Sequence, residues 1–146
     1  MNAFIFPGQG AQKAGMGKDF YENSEAARSF FDQAQKILDF DLKEMCFGEH
    51  EELNLTEYTQ PCMVSVCLAI VQELKKRGIN PDITAGLSLG EYAAVAAAGG
   101  MNELDAIKLV RRRGILMQST VPAGEGAMAA VLGLDAKKIE EILESF

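Results

Sequence analysis

The sequence predicts an α/β fold organised on parallel strands, and three observations carry that prediction. Two short apolar runs, Ala3-Phe4-Ile5-Phe6 and Ile83-Thr84-Ala85, have the length and the flanks of strands. The stretch between them has helical periodicity, so the two runs are joined through helices and lie parallel. The second run leads into Gly86-Leu87-Ser88-Leu89-Gly90, the Gly-x-Ser-x-Gly pattern of a nucleophile elbow. In that motif a strand turns sharply into a helix and leaves a serine oxygen exposed.

Composition sets the outer limits. The chain has 146 residues, enough for one domain with a core, and 48% hydrophobic with 24% charged residues is an ordinary globular balance. A net charge of −7 argues against nucleic acid as a partner. Cys46, Cys62 and Cys67 are an odd count without paired spacing, which suits a reduced, cytoplasmic protein. No stretch is long and apolar enough to span a bilayer, and the first residues lack the pattern of a signal peptide.

The elements follow in order. Ala3-Phe4-Ile5-Phe6 reads as a fully buried strand of a parallel sheet. It runs into Pro7-Gly8-Gln9-Gly10-Ala11-Gln12-Lys13-Ala14-Gly15-Met16-Gly17, a glycine-rich loop that lets the backbone approach another group closely. The loop fails as a Walker motif, because Gln12 stands where a glycine is required and Asp19 follows Lys18. It fails as a dinucleotide fingerprint, because Lys13 occupies the third glycine position. A ligand loop at a strand's C-terminal end and a tight turn without a ligand both remain open.

Ser24 is a capping residue for a helix reaching about Leu38, with Ala27, Phe30, Phe31, Ala34 and Leu38 as its apolar stripe. Residues 41–47 read as a short helical turn and residues 48–54 as a polar loop holding the only histidine, His50. Cys46 and His50 have the spacing of two metal ligands on a helix, but no second pair accompanies them, so an exposed loop histidine is the expectation. Thr59 is expected to cap the next helix, with Pro61 in its first turn and Lys75-Lys76-Arg77-Gly78 as its stop.

The helix after Ser88 is rich in alanine, which suits a central, closely packed position. Asn102 is expected to cap a helix from Glu103 to about Ser119. On it Asp105, Lys108 and Arg112 share a solvated face, while Arg113 lies off that face between Leu109 and Met117. A guanidinium there needs an anion, either an internal carboxylate, slightly favoured by spacing, or a substrate carboxylate or phosphate. Residues 121–126 read as a linker, 127–132 as a strand, and Asp135 as the cap of a last helix.

These residues resemble a known family. The chain is similar to the N-terminal half of the malonyl-CoA:acyl carrier protein transacylases, and more distantly to the acyltransferase domains of polyketide and animal fatty acid synthases. The resemblance rests on Phe6-Pro7-Gly8-Gln9-Gly10-Ala11-Gln12, Thr59-Gln60-Pro61, Gly86-Leu87-Ser88-Leu89-Gly90-Glu91-Tyr92, Arg113-Gly114-x-x-Met117-Gln118 and Gly126-Ala127-Met128-Ala129-Ala130-Val131. It implies a partial α/β-hydrolase-like core over residues 1–123. Residues 124–146 would then start a ferredoxin-like small subdomain, with its first strand and helix.

It further implies a malonyltransferase of fatty acid biosynthesis, with Ser88 as nucleophile and the backbone N–H groups of Gln9 and Leu89 as the oxyanion hole. Arg113 would hold the malonyl carboxylate, and Gln60 and Met117 would line the pocket. Malonyl-CoA and acyl carrier protein are the implied partners. The CoA thioester and the phosphopantetheine are substrates, and no resident cofactor or metal is implied. The family commonly has histidine where Leu87 stands, and its catalytic histidine lies beyond these residues. The expectation is therefore a piece that is inactive alone, with the missing C-terminal half as a further partner. The rival readings are a polyketide-type acyltransferase fragment, a serine hydrolase or patatin-like lipase, and a non-catalytic fragment.

Overall fold

The structure is a computed structural model and describes residues 1–120, 125–126 and 131–145. Strand β1 (Ala3–Phe6) is followed by helices α1 (Lys18–Asn23), α2 (Glu25–Gln35) and α3 (Leu42–Phe47), a 3-10 turn (Glu51–Asn54) and the long helix α4 (Thr56–Lys76). Strand β2 (Ile83–Gly86), α5 (Gly90–Ala97), α6 (Glu103–Thr120) and α7 (Ala136–Leu143) complete the order. β1 and β2 pair in parallel, with Ala3 opposite Ile83 and Phe6 opposite Gly86. The expected α/β class with parallel strands is therefore present, in a molecule that is mostly helical.

The strands alternate rather than being buried throughout. Phe6 is buried, but Ile5 is 78% and Ile83 52% exposed. The expectation of a fully buried first strand is thus corrected: successive side chains of a strand point to opposite faces, and the described residues cover only one of them. An apolar trough of about 430 Å³ also runs beside β1, lined by Phe4, Phe6, Met63, Val66, Cys67 and Leu74.

The core gathers on α4, against which α2, α5 and α6 pack. Phe31, Leu42, Leu68, Ile107 and Val110 are fully buried there. Tyr21, Phe31 and Phe47 form an aromatic group with ring centroids 5.5–5.8 Å apart. Ser24, Asp41, Asn102 and Asp135 each accept a backbone N–H in the first turn of the helix that follows, as a capping residue must.

Thr59 does not cap α4, which begins three residues earlier. Its hydroxyl instead donates to the carbonyls of Leu53 and Leu55, at 2.6 and 3.0 Å. Pro61 therefore lies inside the helix, where its missing N–H leaves the carbonyl of Glu57 without its usual partner. Arg111 of α6 fills that place, donating from Nη1 to the Glu57 oxygen at 2.8 Å. The short helix α1 had no counterpart in the sequence reading. Of the strand expected over residues 127–132, positions 127–130 lie outside the described residues, while Val131 and Leu132 are not in a strand. Asp135 does cap α7, which buries no side chain among the described residues.

Candidate active site

The bend between β2 and α5 has the geometry of a nucleophile elbow. Ser88 has φ +50°, the only positive value for a non-glycine residue among those described. Holding a side chain in the left-handed region costs about 1–3 kcal/mol, a strain found where function requires it. The flanking glycines are required by space. A Cβ on Gly86 would lie 2.1 Å from the carbonyl carbon of Gly90, and one on Gly90 would lie 2.3 Å from the carbonyl oxygen of Phe6.

The first glycine loop is pressed against this bend. Leu87 donates its N–H to the carbonyl of Phe6 at 3.1 Å, and a Cβ on Gly8 would lie 2.9 Å from the carbonyl oxygen of Leu87. Parallel pairing places the C-terminal ends of β1 and β2 together, and the loop that leaves β1 thereby meets the turn that leaves β2. Leu87 is 71% exposed on this rim. Among the described residues, no acceptor pairs with the backbone N–H of Gln9 or of Leu89. Two backbone donors therefore stay available on the two segments that meet here.

Arg113 reaches the site from α6. Its Nη2 donates to Ser88 Oγ at 3.3 Å, and its guanidinium lies over the Tyr92 ring, 5.5 Å from the centroid. No carboxylate pairs with it among the described residues, which removes the internal ion pair that spacing slightly favoured. That role belongs to Arg111, two positions earlier. Arg111 makes a two-pronged contact with Asp39 at 2.9 Å, reaches Glu57 Oε2 at 3.2 Å, and lies against the edge-to-face pair of Phe40 and Tyr58, 5.2 and 5.0 Å from the ring centroids. Its hydrogen bonds hold the Asp39 carboxyl below the usual range. Lys108 pairs with Asp105 on the solvated face of α6.

Gln60 and Met117 meet beside the bend. Gln60, fully buried, directs Nε2 at Met117 Sδ, 3.3 Å away, and at Gln9 Oε1, 3.4 Å away, and leaves its own Oε1 unpaired. Gln9 in turn donates from Nε2 to Thr56 Oγ1 at 3.0 Å. Two sets of contacts result, Arg113 with Ser88 and Gln9 with Gln60 and Met117, and Leu89 follows Ser88 at the bend. Sequence reasoning missed Thr56, whose place appears only once α4 is seen to start there. His50 lies elsewhere, with Nε2 3.0 Å from Glu44 Oε1.

The arrangement has a strained serine oxygen beside a free cation, with uncommitted amide donors on both adjoining loops. It suits attack on a carbonyl whose acyl group carries an anion. Comparison with known proteins identifies relatives of the chain. Residues 3–144 match the family described as acyl transferase domain. A malonyl CoA-acyl carrier protein transacylase of Bacillus subtilis is 48% identical over 143 residues, covering 97% of this chain and 45% of the relative. The crystal structure of a malonyl CoA-acyl carrier protein transacylase from Clostridium perfringens superposes with TM-score 0.85 at 43% identity, over 98% of this chain and 46% of that one. A type II polyketide acyl-carrier protein in complex with its malonyl-transacylase gives TM-score 0.87 at 39% identity, over 98% and 47%. The chain spans about half the length of the curated relatives it matches.

Proposed function

Because the chain belongs to the acyl transferase domain family, we propose that its residues form the nucleophile half of a malonyl transfer site. In this reading Ser88 Oγ attacks the thioester carbonyl of malonyl-CoA. The developing oxyanion takes hydrogen bonds from the backbone N–H groups of Gln9 and Leu89, each such donor being worth about 3 kcal/mol in the transition state. The C–S bond breaks, CoA leaves as the thiol, and Ser88 carries the malonyl ester. The phosphopantetheine thiol of acyl carrier protein then attacks that ester and restores the serine, a ping-pong cycle of the kind used in fatty acid synthesis.

The carrying observation is Arg113. Its guanidinium stands 3.3 Å from Ser88 Oγ with no carboxylate partner among the described residues. Bound there, a malonyl carboxylate would complete a two-pronged pair while its thioester carbon faces the serine. Gln60 and Met117 form the adjoining wall. The chemistry calls for no resident cofactor, since both thioester carriers are substrates. The side chain that meets Ser88 Oγ is a donor, and His50 is engaged by Glu44, so neither accepts the serine proton. In this chain alone that proton passes through water to the departing CoA sulfur, so acylation is slow and stoichiometric acylation is the appropriate readout.

The test is intact-mass and peptide-mass analysis after incubation with malonyl-CoA. One malonyl group should appear on the peptide containing Ser88, be absent in Ser88→Ala, and form more readily than the acetyl adduct. Arg113→Ala should remove most of that preference. Labelling that survives Ser88→Ala, or equal use of acetyl-CoA by the parent chain, overturns the reading.

A further inference from the structure

The Gln9 side chain is held at both ends by α4. Its Nε2 donates to Thr56 Oγ1 at 3.0 Å and its Oε1 accepts from Gln60 Nε2 at 3.4 Å, and the two partners stand one helical turn apart. Thr56 is the first residue of α4, and the residue before it, Leu55, supplies no side-chain cap. The first N–H groups of a helix have no partner within it. Here the Thr56 N–H finds one across the interface, donating to Gln118 Oε1 of α6 at 3.0 Å.

α6 is set for that contact by the same stripe. Arg111 takes the Glu57 carbonyl freed by Pro61. Gly114 lies so close that a Cβ would stand 2.8 Å from the Thr56 oxygen and 2.9 Å from Glu57 Cα. Residues 111, 114 and 118 recur on one face of α6, and that face clasps the first turn of α4. Farther along, the glycine loop has its own tethers, Gln12 to Asn54 at 3.1 Å and the Gly15 N–H to the Cys46 carbonyl at 2.9 Å. Neither holds Gln9 itself.

We infer that Gln118 is a positioning residue: acting through the first turn of α4 and the Thr56 hydroxyl, it fixes the Gln9 segment of the glycine loop against Ser88. The inference deepens the acyl-transfer reading, on which its kinetic consequence rests. Gln118 touches no reacting atom. It keeps the helix start formed, and the helix start presents the hydroxyl that orients Gln9.

The test pairs Gln118→Leu, which removes the acceptor, with Gln118→Glu, which keeps one in place and suits a helix N-terminus. Thr56→Val removes the hydroxyl alone. In backbone 15N relaxation of the full chain, the order parameter of Gln9 should fall from about 0.85 to below about 0.6 in Gln118→Leu and in Thr56→Val, and return in Gln118→Glu, while Gly10, tied to Gln12 Oε1 at 2.8 Å, should change less. The rate constant of Ser88 acylation at saturating malonyl-CoA should fall about tenfold in the same two variants, a partial loss of one oxyanion donor. Half-saturation and the malonyl-over-acetyl preference should hold.

Unchanged order parameters in Gln118→Leu, or a Gln118→Glu variant as loose as Gln118→Leu, overturn the inference. So does a collapse of malonyl preference with a rigid loop, which would route the effect through Arg113. If the parent chain is not acylated at Ser88, the functional reading falls, while relaxation still decides the role of Gln118.

Discussion

Replacing Gly90 with alanine probes the contact that joins the two halves of the site. The added Cβ would lie 2.3 Å from the Phe6 carbonyl oxygen and 2.7 Å from that of Pro7. Both obstacles are backbone, so β1 and the start of α5 must separate by roughly 1 Å to reach ordinary contact. Overpacking of this kind costs about 1–3 kcal/mol. The Phe6 oxygen is also the acceptor for Leu87, and stretching that bond adds about 1 kcal/mol. Alanine's helix preference over glycine returns at most about 1 kcal/mol. The net expectation is a loss of roughly 2–3 kcal/mol, a fall of about 5–12 °C in Tm for a chain of this size.

The comparison is Gly99→Ala. That glycine has φ +81° and open space around it, so only backbone strain of about 1 kcal/mol is added. Thermal melts followed by circular dichroism, with urea midpoints at constant m-value, distinguish the two. A Gly90→Ala chain that melts with the parent, or no lower than Gly99→Ala, would show that the loop and the elbow are not in the contact described.

Further predictions follow from the same geometry. Ser88→Gly should be more stable than Ser88→Ala by roughly 0.5–2 kcal/mol, because glycine relieves the positive φ at a smaller entropy cost; urea titration of both reads the order directly. The Glu73 carboxyl accepts from Ser24 Oγ and pairs with Arg77, and these contacts lower its pKa below the ordinary 4.5. A depressed carboxyl stabilises the fold above 4.5 and loses that contribution as the pH falls through its folded pKa. Tm measured below pH 4.5 should therefore fall less steeply in Glu73→Gln than in the parent. Burial pushes the Cys67 thiol up to about 11, so at pH 8 roughly one molecule in a thousand carries the thiolate. Cys67 is half-buried in the wall of the trough beside β1, so its labelling by a thiol reagent should be slow in the native chain and rise in urea, and rapid native labelling would contradict a thiol held protonated there.

Much of this protein was legible from local chemistry. The elbow could be read because its glycines and serine are consecutive and the constraint acts within five residues. The caps at Ser24, Asn102 and Asp135 were readable for the same reason: each acceptor lies two or three residues from its donor. Where local signals were weak or misleading, the reading erred. The six-residue α1 buries no side chain and starts from Gly17, so it has neither an apolar stripe nor a side-chain cap to announce it. Thr59 has the chemistry of a cap, but its hydroxyl turns back to carbonyls before it.

Tertiary structure decided which arginine is free. Arg111 and Arg113 lie on one helix, and spacing offered either an internal carboxylate or a bound acid for the second. The internal partner, Asp39, is 72 residues away in sequence and belongs to Arg111, which also takes the carbonyl that Pro61 leaves open. Arg113 is thereby left to Ser88. Residue order alone set the serine, its bend and the helices around it, because those depend on neighbours along the chain. The pairing of charges, the start of α4 and the grip on Gln9 depend on atoms brought together by packing, where one strong partner taken by Arg111 determines what remains for its neighbour.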